Sequence, residues 1–308
     1  MYYPLLRGKQ NELLALRELL KEGKLSKKII PIIEPIKASS SFRILLQDFS
    51  RENRNLAVIQ NSKLANYPGF KDNKEIIEIK KSKEFMPTYF LYKNNDCDIL
   101  NEIPQNKPHM MILDEKSEVD IKRVITSNTF LIINTNNREM LQDAKQENFS
   151  RIIELHDSYE KKNRNQDYAE DQDQLFSMEH LLYKKDGFYG FSDYSVIGSD
   201  YSESGFAPKA VAIHIVYFDS DNKLRIHHFV SDTNEDISNP ANKFKEALKK
   251  LISWYSSDTF NKEKNNSSAL EEFKRLSIAG TYPGLGIIKR LAIKHHLEIL
   301  GQFLDGED

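Results

Sequence analysis

Eight short apolar runs recur along the first two thirds of the chain, at residues 2–6, 29–33, 56–59, 86–91, 109–113, 130–133, 152–153 and 188–192. Each ends in a polar or charged residue: Arg7, Glu34, Gln60, Tyr92-Lys93, Asp114-Glu115, Asn134, Glu154 and Asp193. Short apolar runs between polar stretches read as buried strands. Amphipathic segments separate most of them. Residues 10–22 carry a broad stripe of Leu13, Leu14, Leu16, Leu19 and Leu20, stopped by Gly23. Ser39, Ser40 and Ser41 offer N-caps for a helix through Phe42, Leu45, Leu46 and Phe49. Ile76, Ile77 and Ile79 predict a short helix, and residues 96–103, 119–125, 140–147 and 175–183 predict four more. Strands alternating with helices, without a matching sequence repeat, predict an α/β fold: a (β/α)8 TIM-like barrel rather than a solenoid. Pro31 lacks a ladder donor and is expected near a strand start or at a bulge. Residues 62–73, with the turn signal Pro68-Gly69, are expected to form a longer loop.

After Asp193 the rhythm changes. Residues 195–209 read as loop. Residues 210–218 and 223–230 read as a hairpin around a turn at 219–222. A polar linker at 262–268 separates helices expected at 242–255, 269–278 and 285–304. The whole chain, 1–308, is expected to be one barrel domain. Residues 199–236 would be a loop and β-hairpin insertion after the eighth strand, and 240–304 C-terminal helices. Such an insertion projects over the strands' carboxyl ends, where it would act as a lid.

Composition narrows the class. Of 308 residues, 39% are hydrophobic, including 17 Phe and 14 Tyr, enough for a large core. A net charge of -2 provides no global basic field for nucleic acid. The single cysteine, Cys97, excludes an intrachain disulfide and a multi-cysteine zinc site. It is flanked by Asp96 and Asp98, which disfavour a thiolate nucleophile. No signal peptide and no uncharged run of membrane-spanning length is evident, so a cytoplasmic protein without membrane partners is expected.

Barrel sites lie at the carboxyl ends of the strands, so the run ends carry the candidate chemistry. By strand parity, Leu5 shares a face with Arg7, Ile32 with Glu34, Ile112 with Asp114 and Ile132 with Asn134. Likewise Ile152 shares a face with Glu154 and His156, and Phe191 with Asp193. Facing inward, these polar residues and Gln60 would form a ring above the barrel core, with Lys9, Lys37, Lys93 and Glu115 at its rim. Glu34, Asp114, Glu154, His156 and Asp193 are candidate catalytic groups, as acid/base residues or oxygen ligands of a divalent cation. Arg7, Lys9, Lys37 and Lys93 are candidate phosphate-binding groups. Leu6-Arg7-Gly8 echoes the His-Arg-Gly start of glycerophosphodiester phosphodiesterases, but with Leu6 at the position of a catalytic histidine. With a turn at 219–222, His214 faces His227 across the hairpin and His228 points away. The last helix carries Ile287, Ile293 and Ile299 beyond one stripe, a surplus that would suit a protein partner or homo-oligomer.

YYPLLRGKQNELLALREL at 2–19, IIPIIEPIK at 29–37 and GFSDYSVIG at 190–198 resemble the Beta-protein family of bacteria and phages. The resemblance spans nearly the whole chain. It implies a role in phage–host conflict and brings no established catalytic residues. Two functions fit these readings. One is a hydrolase acting on a phosphate ester, a nucleotide or nucleic-acid phosphodiester. The other is a non-catalytic ligand- or protein-binding barrel serving as sensor or partner subunit in defence. Open charge at the ring favours the first, and mutually paired charge the second.

Overall fold

The computed structural model describes residues 1–62, 64, 73–104, 106–200 and 208–307. The Pro68-Gly69 turn and part of the expected 195–209 loop lie outside them. Among the described residues the strands are β1 (Leu5–Leu6), β2 (Ile32–Ile33), β3 (Leu56–Ile59), β4 (Phe85–Phe90), β5 (His109–Leu113), β6 (Thr129–Asn134) and β7 (Ile152–Leu155). They continue as β8 (Asp173–Ser177), β9 (Gly190–Ser192), β10 (Ala212–Phe218) and β11 (Leu224–Val230). The chain divides into two compact units. The first comprises Met1–Leu13, Lys27–Asp157 and Glu179–Tyr194; the second comprises Leu14–Ser26, Ser158–Met178 and Ser195–Asp308.

The first unit is a parallel barrel of eight strands in the order β1-β2-β3-β4-β5-β6-β7-β9. All eight apolar runs contribute a strand. Tyr2 bridges both Ile29 and Phe191. The Tyr3 amide donates to Phe191 O at 2.9 Å and the Leu5 amide to Asp193 O at 2.8 Å, which joins β9 to β1. Pro31 sits immediately before β2, where no ladder amide is needed. Helices alternate with strands, with shifted bounds: those expected at 119–125 and 140–147 form as Ile121–Val124 and Arg138–Gln146, and 96–103 forms as a 3-10 helix, Asn94–Glu102. Ser39, Asn73 and Asn137 cap Ser40–Arg51, Lys74–Lys81 and Arg138–Gln146 by accepting the amides of Phe42, Ile76 and Met140.

The two faces of the barrel wall can be told apart. Met111, Leu113, Leu131, Ile133 and Ile152 pack with Val124, Met140 and Ala144 of the surrounding helices. Their strand neighbours Ile112, Ile132 and Ile153 therefore face the barrel interior. Register carries this inner row onward from Ile112 to Ile132, Ile153 and Gly190. A Cβ on Gly190 would meet the Tyr3 ring at 2.6 Å, so only glycine fits beside that buried aromatic.

The second unit has an antiparallel sheet, β10-β11-β8. Ile213, Ile215 and Phe229 form a core with Phe244, Leu248 and Leu251 of Pro240–Tyr255, Phe273 of Ser268–Ala279 and Leu291 of Leu285–Asp305. Three expectations change here. Residues 175–183 are not one helix: Asp173–Ser177 forms β8 against β11, and helix is confined to Glu179–Leu182. Asp173 explains the switch, since it accepts hydrogen bonds from Tyr217 Oη (2.7 Å), Arg225 Nε (2.6 Å) and His227 Nδ1 (3.0 Å). These partners are remote in sequence and outweigh local helix propensity.

The hairpin register also differs by one residue. Phe218 pairs with Leu224 and His214 with His228, while His227 pairs with Ile215. The loop gains a fifth residue because Asn222 adopts φ 61°, and Asp219 Oδ1 accepts the amides of both Asp221 and Lys223. Finally, Ile293 and Ile299 are fully buried, so the surplus on the last helix is core rather than exposed surface. No helix among the described residues is long and apolar enough to cross a membrane.

Candidate functional site

The expected ring resolves into two groups on opposite faces of the barrel wall. On the interior phase, at the carboxyl ends of β1 and β2, the buried Arg7 guanidinium ion-pairs with the buried Glu34 carboxylate through Nη1 and Oε2. Ser62 Oγ donates to Glu34 Oε1 at 3.0 Å, and the Tyr194 ring lies 4.9 Å from the guanidinium carbon. Asp114 hydrogen-bonds Tyr92; burial, then Asp114 and Glu34, push the Tyr92 hydroxyl up to about 12. Burial also holds Tyr194 up at about 12, against the opposing pull of Arg7. Asp114 Oδ1 also accepts the Lys116 amide (2.9 Å), and Asn134 Oδ1 accepts the Asn136 amide (2.9 Å). Gln60 does not share this phase: Ile32 is in register with Ala57, so Gln60 lies with Val58 on the outer face, where its Nε2 donates to Val58 O at 2.7 Å and its Oε1 accepts from Lys80 Nζ of Lys74–Lys81 at 3.4 Å. At the mouth Arg7 and Glu34 pair with each other, whereas Asp114 and Asn134 are held by nearby backbone amides. Lys9 is half-buried, and the Lys9 carbonyl accepts amides of the first helix; Lys37, Lys93 and Glu115 are exposed.

Glu154, His156 and Asp193 do not join that ring, a correction to their expected inward orientation. Glu154 is in register with Ile133 and two residues beyond Ile152, both in the helix-facing layer. Phe191 is in register with Glu154 and stacks on Tyr2 at 5.0 Å. Asp193, two residues later, accepts from Tyr2 Oη at 2.5 Å. Parity within each strand holds, but the phase toward the axis is the opposite one for β7 and β9. The pair Ile152-Ile153 is apolar on both faces, so alternation alone does not choose between them.

On this outer face His156 Nε2 lies 3.1 Å from Glu154 Oε2 and 3.7 Å from Glu179 Oε2. Burial alone would lower the imidazole pKa, but the Glu154 hydrogen bond and the charges of Glu179, Glu154 and Asp193 outweigh it and raise the value. Glu179 is raised by burial, opposed by His156 and reinforced by Glu154, Asp186 and Asp193. A carboxylate with raised proton affinity beside an imidazole is an acid/base couple in chemical terms, and the same three groups can hold a cation. Glu179 was not foreseen, because it lies within the segment 175–183 read as a single helix, whose first part is strand β8. Cys97 is buried, and burial ahead of Asp96 and Asp98 raises its thiol, opposed by Arg123.

The second unit holds a cavity of about 720 Å³ that the sequence reading missed. Its wall carries Lys161, Lys162, Arg164, Lys209 and Lys289, and no carboxylate among the described lining residues. Tyr159, Tyr168 and His214 supply aromatic surface. Tyr159 Oη donates to Tyr168 Oη at 2.8 Å, and Tyr168 Oη accepts the Lys162 amide at 3.0 Å, so the rings are fixed. His214 Nδ1 is 2.7 Å from His228 Nδ1, a contact that one shared hydrogen satisfies. Burial lowers both histidines, His228 to about 4, so the pair is neutral near pH 7. The available signal was aromatic residues interleaved with cations over 159–168, hidden by the segment's overall polarity.

Compared with protein-family models, curated proteins and solved structures, the chain gives no match.

Proposed function

We propose that this chain is a ligand-binding barrel protein whose ligand is an anionic, ring-bearing molecule of the nucleotide class, held in the cavity of the second unit. The cavity carries the reading. Its volume falls within the range of small-molecule sites, about 300–1,000 Å³. Ammonium and guanidinium groups bind phosphate oxygens, and fixed tyrosine rings stack on bases. Pairing does not separate the two sites, since Arg7 pairs with Glu34 at the barrel mouth while Lys161, Lys162 and Arg164 of the cavity wall pair with Asp200, with Glu160 and Asp171, and with Asp167; the volume and the fixed rings favour the cavity. A setting in phage–host conflict is what the resemblance to the Beta-protein family implies, and a sensor is the role we propose within it.

Titration calorimetry with mono-, di- and cyclic nucleotides tests this. We expect saturable, salt-sensitive binding, weakened about tenfold by each of Lys209→Glu and Lys289→Glu, since a hydrogen bond to a charged group contributes about 1.5–3 kcal/mol. No binding of any nucleotide at millimolar concentration overturns the proposal. The phosphate-ester hydrolase is a second reading, favoured by the Glu154–His156 couple at the end of β7. It requires turnover of a nucleotide or model phosphodiester that is lost in Glu154→Gln.

A further inference from the structure

Three side chains of the barrel unit converge on one point outside its wall. Glu154 comes from the carboxyl end of β7, His156 from just beyond it, and Glu179 from the start of Glu179–Leu182. One ligand atom from each lies within 4.8 Å of the other two. Glu154 is 3% exposed, and its Oε1 has no hydrogen-bond partner among the described residues. A buried carboxylate oxygen without a donor is costly and calls for a positive partner. His156 Nε2 reaches only the other oxygen, Oε2.

The far side of the imidazole adds an independent constraint. His156 Nδ1 lies 3.3 Å from Thr135 Oγ1. With Nδ1–H donating to that hydroxyl, Nε2 presents a lone pair toward two carboxylates. Such an outer hydrogen bond is how metal-binding histidines are oriented and their tautomer set. A lone pair and two anions facing one another need positive charge among them; a proton on Nε2 would serve Glu154 Oε2 and leave Oε1 without a partner, whereas a bound cation can serve both carboxylates.

The geometry points to a divalent transition-metal site formed by Glu154, His156 and Glu179, with Thr135 as the residue positioning the imidazole. One imidazole nitrogen with two carboxylates suits Mn²⁺, Fe²⁺, Co²⁺ or Zn²⁺ better than Ca²⁺ or Mg²⁺, which favour oxygen ligands. The His156 and Glu179 side chains are 27% and 22% exposed, which gives an ion an entry route and leaves room for water to complete its coordination. This site lies in the barrel unit and is independent of the nucleotide proposal.

The full chain, stripped with chelator and dialysed free of it, is titrated with Zn²⁺, Mn²⁺ and Co²⁺, and bound metal is counted by equilibrium dialysis. We expect one ion per chain and, for Co²⁺, visible absorption bands that titrate to the same endpoint. Glu179→Gln and Thr135→Val should each weaken binding by about tenfold or more, while metal-free melting temperatures stay near wild type. Thr135→Val provides a second arm if Glu179→Gln folds poorly. A protonated imidazole held by two carboxylates, with no cation role, predicts no stoichiometric metal. That result, or metal binding unchanged in both variants, overturns the assignment.

Discussion

Acidification should destabilise the second unit through His295. This residue is fully buried on Leu285–Asp305, and burial lowers its imidazole from 6.5 to about 4. Its Nε2 lies 2.6 Å from the Val216 carbonyl and must donate to it; its Nδ1 lies 2.8 Å from Ser267 Oγ. Ser267 Oγ in turn accepts the Leu270 amide at 3.2 Å and caps Ser268–Ala279. With Nε2 carrying the proton of the neutral ring, Nδ1 is the acceptor and the Ser267 hydroxyl donates to it; a proton on Nδ1 turns that hydroxyl hydrogen away from its acceptor and places a charge in the core. Because the folded pKa is depressed, the unfolded chain takes up this proton first as pH falls below about 6.5. The stabilisation is fully present above that value and is lost progressively until pH reaches about 4. Each pH unit in the window costs about 1.4 kcal/mol, so the whole descent costs about 3 kcal/mol. The single tryptophan, Trp254, packs on Phe260 at 4.6 Å in the same unit and reports its unfolding. Urea melts followed by its fluorescence between pH 4.5 and 7.5 should show a steeper pH slope for wild type than for His295→Gln, by about 1.4 kcal/mol per pH unit. Gln can still donate to Val216 O but does not titrate. Equal slopes would refute the reasoning.

Two further substitutions probe the barrel. Arg7→Ala strands a buried carboxylate at Glu34 and should destabilise by about 3–5 kcal/mol in denaturant melts; a loss below 1 kcal/mol, the range of exposed pairs, would mean that water reaches the pair. Gly190→Ala forces a methyl to within 2.6 Å of the Tyr3 ring and 2.8 Å of the Met1 carbonyl, and should lower stability by about 1–3 kcal/mol or more; an unchanged melting temperature would contradict the packing described.

The barrel was legible because each strand is a run of apolar residues closed by a polar one, and eight such runs in order leave little choice of architecture. The helix start at Ser39 was legible for a local reason, since the capping oxygen and the amide it accepts lie three residues apart; Asn137 caps with the same spacing, but its helix was expected to begin only at residue 140. What was hidden depended on partners distant in sequence. β8 is a strand because Asp173 finds Tyr217, Arg225 and His227, and no local pattern announces them. The hairpin shifted by one because Asn222 took a left-handed conformation that adds a residue to the loop. The candidate ring divided because parity sets which residues share a face but not which face is inside. Glu34 and Asp114 lie with Arg7 on the interior phase, whereas Glu154 and Asp193 follow the phase of Ile152 and Phe191.

The pairing of β9 with β1 also governs how the molecule is made. Ser192 Oγ donates to the Tyr3 carbonyl across 189 residues of sequence, so closure of the barrel is among its most non-local events. During synthesis β1 and β7 wait as open strand edges until residues 190–192 emerge, and between β7 and β9 the ribosome first delivers a segment belonging to the other unit. Contacts this distant slow folding, and unpaired edges invite association with other chains. Nascent chains arrested before residue 190 should therefore depend on holding chaperones, and the dependence should end once β9 has cleared the exit tunnel.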